Sequence, residues 1–102
     1  MTLMEFSMIP LDKGHHFSSY VARILKIVDA SGLSYRLTPM GTIVEGEWLE
    51  LTGLLTKCMN ELDKDCERIS LTVRFDAHKG RKNMLESKIA SVQEKAGKKL
   101  NT

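Results

Sequence analysis

The chain has 102 residues, 42% of them hydrophobic and 27% charged, which is the composition of a folded globular protein. No apolar run approaches the roughly 20 residues that a membrane-spanning helix needs. Cys58 and Cys66 are too few for a disulfide framework, and their spacing matches no common zinc pattern. The opening stretch carries Glu5 and no basic leader, so we expect no secretory signal, a cytoplasmic location and both thiols reduced. One domain over residues 1–102 is the corresponding expectation.

The formal charge of +2 conceals an uneven distribution. Up to His78 there are 8 Lys/Arg and 11 Asp/Glu, whereas from Lys79 onward there are 7 Lys/Arg and 2 Asp/Glu. The basic residues of the last segment are spread along it. They fit the solvated face of a C-terminal helix, with contact to an anion or a nucleic acid as the alternative.

In chain order, residues 3–11 alternate, with Met4, Phe6 and Met8 on one side and Glu5, Ser7 and Ile9 on the other, until Pro10 ends a strand. Asp12-Lys13-Gly14-His15-His16 reads as a loop. Phe17, Tyr20, Val21, Ile24, Leu25 and Val28 form the stripe of an amphipathic helix, with Ser18 or Ser19 as its cap and Gly32 as its stop. Residues 33–38 form a second strand, with Tyr35 and Leu37 on one face. Pro39-Met40-Gly41 is a turn in which proline fixes φ and glycine tolerates a positive one.

Residues 42–45 make a short third strand that Gly46 breaks. Trp48, Leu51, Leu55, Cys58 and Leu62 then step at helical spacing, with Glu47 and Glu50 in the first turn complementing the helix dipole. Trp48 is expected in the core, and Gly53 is expected to mark close packing. Residues 68–76 alternate most cleanly, Ile69, Leu71, Val73 and Phe75 against Ser70, Thr72, Arg74 and Asp76. After a polar loop over residues 77–82, Leu85, Ile89, Val92 and Ala96 give a third helix.

The order β-α-β-β-α-β plus a terminal helix predicts an α+β, ferredoxin-like fold: one antiparallel sheet with two helices on one face. The loop at residues 12–16 and the turn at residues 39–41 then share one end of the sheet, and His78 lies at the other. His15, His16 and His78 therefore do not converge within one chain, and we expect no metal site. No serine is paired with a histidine and an acid, and neither cysteine sits in a nucleophile motif, so we expect no enzyme. The outward positions of the central strands are Ser7, Thr72 and Arg74, without an aromatic on which a base could stack, which argues against nucleic acid. That outer face, with Glu5, Ser7, Arg36, Thr38, Thr72 and Arg74, Ile9 as its main apolar member and Glu45 if the third strand keeps register, suits either solvent or a small polar ligand covered by a second subunit.

Several stretches together resemble a family of small thiamine-binding proteins of ferredoxin-like fold. They are Ser7-Met8-Ile9-Pro10-Leu11, Ser19-Tyr20-Val21-Ala22, Ser31-Gly32-Leu33-Ser34-Tyr35 and Lys88-Ile89-Ala90-Ser91-Val92. Above all they include Leu37-Thr38-Pro39-Met40-Gly41-Thr42 followed by Glu45-Gly46-Glu47-Trp48. The paired histidines at 15 and 16 depart from the pattern. The resemblance implies a non-catalytic binder of thiamine or its hydroxymethylpyrimidine part, assembled as a homo-oligomer, a dimer of dimers. Ser7, Thr38, Met40, Thr42 and Glu45 are the implied ligand set. Glu45 would balance the thiazolium cation, Ser7 and Thr38 would bond the pyrimidine nitrogens, and Met40 would lie against the flat ring. The competing reading is a regulatory or structural module that binds another metabolite or a protein at subunit interfaces.

Overall fold

The computed structural model describes residues 1–102. Its elements are β1 (Thr2–Pro10), α1 (Ser18–Ala30), β2 (Ser34–Thr38), β3 (Gly41–Gly46), α2 (Trp48–Asp63), β4 (Ile69–Ala77) and α3 (Met84–Ala96). The four strands form one sheet in the order β2-β3-β1-β4, and every neighbouring pair is antiparallel. This is the ferredoxin-like α+β fold with an added helix.

Period-two alternation gives each strand an apolar face, and register aligns those faces. Met4 lies opposite both Val44 and Phe75, and Phe6 opposite both Thr42 and Val73. This side of the sheet meets Ile24 and Val28 of α1 and Leu51, Leu54, Cys58 and Leu62 of α2, all buried. Arg23 clamps the two helices at their outer edge. Its guanidinium donates to both carboxylate oxygens of Asp65 at 2.9 and 3.0 Å, to the Glu61 carboxylate at 3.0 Å and to the Glu61 carbonyl at 2.9 Å.

The other side of the sheet is only partly open, because the first turns of α3 cross it. Met84 and Leu85 donate their backbone N–H groups to Glu45 of β3, Arg36 of β2 pairs with Glu86, and Lys88 pairs with Asp76 of β4. Beyond residue 88 the helix is largely exposed, including Ile89 and Val92. No helix is long and apolar enough to cross a membrane.

Five local expectations need correction. Phe17, not Ser18 or Ser19, caps α1, without a side-chain bond. Glu47 precedes α2 as its N-cap, its backbone N–H donating to the Glu50 carboxylate at 2.9 Å, so it is a cap instead of a first-turn acid. Trp48 is half-exposed, packed on Phe75 with ring centroids 4.5 Å apart. At Gly53 an added Cβ would meet nothing within 4 Å, so no close packing exists there. Gly41 is not among the positive-φ residues; what glycine provides there is a close approach, since a Cβ would lie 3.1 Å from the Phe6 carbonyl oxygen.

Candidate ligand cleft

Pairing between β1 and β3 ends at Phe6 and Thr42, whereas β1 continues along β4 as far as Pro10. The tight β2–β3 turn thus leaves residues 7–9 of β1 uncovered on one edge. The uncovered edge, the turn and α1 enclose a cleft of about 330 Å³, within the range of small-molecule sites. Phe6, Met8, Phe17, Val21, Leu25 and Leu37 supply much of its apolar wall. None of its 14 lining residues is charged.

Four of the five residues implied by the resemblance border this cleft: Ser7, Thr38, Met40 and Thr42. The Thr38 hydroxyl works within the turn, donating to the Gly41 carbonyl at 2.8 Å and accepting the Met40 N–H at 3.3 Å. This local bonding fixes the hairpin tip, where the Met40 side chain stands 88% exposed. Thr42 faces the helices with Phe6 and is buried, whereas Ser7 lies on the alternate face of β1 and borders the cleft only at the strand's open edge.

Glu45 is not brought to this cleft. It lies on the opposite face of the sheet, only 5% exposed, and its carboxylate accepts the Met84 N–H at 2.8 Å and the Leu85 N–H at 3.4 Å. A carboxylate at a helix N-terminus complements both the free N–H groups and the helix dipole. The expected counter-charge for a cationic ring is thus engaged within the chain.

The α1 and β2 contributions, Phe17, Val21, Leu25 and Leu37, were not in the expected set. Their signal was the width of the α1 stripe, which exceeds what the core consumes: Ile24 and Val28 are buried, whereas Phe17, Val21 and Leu25 are only partly covered. His15 and His16 are exposed in the loop before α1, and no three His, Cys, Asp or Glu side chains converge to hold a metal ion.

The fold and cleft define a class: a small ferredoxin-like protein with a ligand-sized apolar recess beside its β2–β3 turn. Within that class the chain belongs to the thiamine-binding protein family, whose pattern matches residues 4–93. It is 34% identical to the UPF0045 protein YqgV of Bacillus subtilis over 99 residues, covering 90% of this chain and 94% of that one. It is 28% identical to the UPF0045 protein MJ1052 of Methanocaldococcus jannaschii, covering 88% of this chain and 90% of that one. The MJ1052 crystal structure superposes with a TM-score of 0.84 at 27% identity, over 91% of this chain and 96% of that one. A Thermotoga maritima protein with a proposed place in thiamine biosynthesis or salvage shares the fold at a TM-score of 0.79 and 20% identity, over 89% of this chain and 97% of that one.

Proposed function

We propose that the chain binds thiamine, or the hydroxymethylpyrimidine that forms half of it, without chemically transforming it. The observation that carries this reading is the uncharged cleft of about 330 Å³ bordered by Ser7, Thr38, Met40 and Thr42. Because its walls hold no carboxylate, the neutral aminopyrimidine enters and the thiazolium cation stays toward the solvated mouth. Burying that cation without a partner would cost several kcal/mol by desolvation. In this reading Ser7 and Thr42 hydrogen-bond the pyrimidine, Thr38 holds the turn in shape, and Met40 closes over the ring.

Isothermal titration with thiamine and, separately, with hydroxymethylpyrimidine tests the reading. Both are expected to bind, and Ser7→Ala and Thr42→Val are expected to weaken each by about tenfold, the loss of one net hydrogen bond of about 1.5 kcal/mol. Silence toward both compounds at millimolar concentration would overturn it.

The same reading places the protein in the cytoplasm as a homo-oligomer, a dimer of dimers. The exposed Ile89 and Val92 on α3 and the uncovered part of the outer sheet face supply the apolar and polar surface for a subunit contact. Native mass spectrometry reports stoichiometry and any retained small molecule together; a monomer at micromolar concentration would count against assembly.

A further inference from the structure

The sequence set apart a basic segment that the cleft beside the β2–β3 turn does not use. Its first part folds into a second recess at the opposite end of the sheet, about 530 Å³ in volume, between the β4–α3 loop and the start of α2. We propose that this recess binds a phosphorylated planar base of the nucleotide class, with the base on Trp48 and the phosphates on Lys79, Arg81 and Lys82.

The loop is held by its backbone. His78 N–H donates to the Met1 carbonyl at 3.3 Å, Arg81 N–H to the His78 carbonyl at 3.1 Å, and Met1 N to the Arg81 carbonyl at 2.8 Å. Gly80 permits the tight reversal with φ at 77°. The three cations therefore project from a fixed turn. All three are exposed and none takes part in an ion pair, unlike Arg23, Arg36, Lys64, Arg74 and Lys88. The one acid lining the recess is Glu47, set against the three Lys/Arg side chains. Positive charge thus dominates this recess.

Trp48 supplies the second half of the recognition. Its ring leans on Phe75 at an interplanar angle of 50°, and the residue, half-exposed, lines the recess. A fixed, half-open indole is a stacking surface for a planar base, and such contacts are worth about 1–3 kcal/mol per base. One aromatic beside one cluster of cations matches one base and its own phosphates. A strand of nucleic acid requires a succession of aromatics, which the outer sheet face lacks. The two recesses also sort ligands by charge: the thiazolium cation is repelled here, and a phosphate has no partner in the uncharged cleft.

Trp48 is the chain's single tryptophan, so its fluorescence reports on this recess alone. The intact protein is titrated with ADP, and with adenosine and pyrophosphate as the two halves of it. ADP is expected to change the emission saturably, less strongly as salt is raised, and at least tenfold more tightly than either half. Replacing Lys79, Arg81 and Lys82 together by alanine is expected to weaken ADP at least tenfold with unchanged circular dichroism. By calorimetry, Trp48→Ala is expected to weaken ADP and leave pyrophosphate unaffected, and thiamine is expected not to compete with ADP. No saturable response at millimolar ADP, a response that survives the triple substitution, or competition by thiamine would each overturn the proposal. Displacement of ADP by submicromolar single-stranded oligothymidylate would overturn it too, in favour of a nucleic-acid surface.

Discussion

Glu45 and Met84, 39 positions apart in sequence, are joined by a 2.8 Å hydrogen bond in which the strand carboxylate receives the first backbone N–H of α3. Replacing Glu45 by alanine leaves the N–H groups of Met84 and Leu85 without an acceptor in a covered site. The expected loss is about 1–3 kcal/mol, with Glu45→Gln milder because one acceptor oxygen remains. Chemical denaturation measures the loss, and hydrogen exchange locates it: α3 amides should lose protection before those of the sheet. If Glu45→Ala instead abolishes thiamine binding while α3 stays protected, the acid serves the ligand.

Gly41→Ala is expected to destabilise the protein by about 1–3 kcal/mol, the range for forcing extra volume into a packed site. The obstacle is the Phe6 carbonyl oxygen, 3.1 Å from the added Cβ, and backbone cannot swing aside. Thermal denaturation should also be accompanied by weaker thiamine binding, because the turn borders the cleft. Gly53→Ala is the control. It meets nothing, sits inside α2, and should stabilise by about 0.5–1 kcal/mol through helix propensity.

Stability is expected to fall in acid through the Arg23 clamp. Hydrogen bonds from Lys64 and Arg23 hold the Glu61 carboxyl below its ordinary 4.5, and hydrogen bonds from Arg23 hold the Asp65 carboxyl below its ordinary 3.8. Groups with depressed folded values stabilise above the unfolded value and lose that contribution as pH falls through the folded one. The clamp is therefore intact at neutral pH and is lost progressively below about pH 4.5. Denaturation midpoints of the wild type and Arg23→Ala should differ at pH 7 and converge toward pH 2, with the difference reduced by salt because these groups face solvent.

Cys58 should be silent toward thiol reagents in the native state. Burial removes it from contact and pushes its pKa up to about 11, so almost no thiolate exists at neutral pH. Burial likewise raises Cys66. Labelling with a disulfide reagent at pH 7 should be slow, and both thiols should react promptly in denaturant. Rapid native labelling of Cys58 would contradict the packing of α2.

Strand and helix order was legible in the sequence because the alternation of Met4, Phe6 and Met8 and the stripe through Tyr20, Ile24 and Val28 state their own periods. The turn at residues 39–41 was legible too, though for a different reason than its glycine suggested. Positive φ is a local property, whereas the approach of Gly41 to Phe6 belongs to the pairing of two strands distant in sequence. The position of Glu45 was hidden in the same way. Alternation assigned it to the outer face, but nothing local announced that α3 would return and cover it. Trp48 escaped the core because it is the first residue of α2, where the helix has only begun to pass over Phe75.

Anchorage of α3 through its first turns alone gives the molecule a handle. The principal extents are 47, 28 and 20 Å, and the radius of gyration is 15.0 Å, against about 13 Å for a compact chain of this length. An elongated particle drags more water than a sphere of equal mass. One free chain would therefore elute early from a sizing column calibrated with round proteins, imitating a heavier species. Two chains that folded their handles over each other would elute later than twice that apparent mass. Scattering curves thus distinguish a pair that shelters α3 from a pair joined elsewhere: only the first becomes rounder as it becomes heavier.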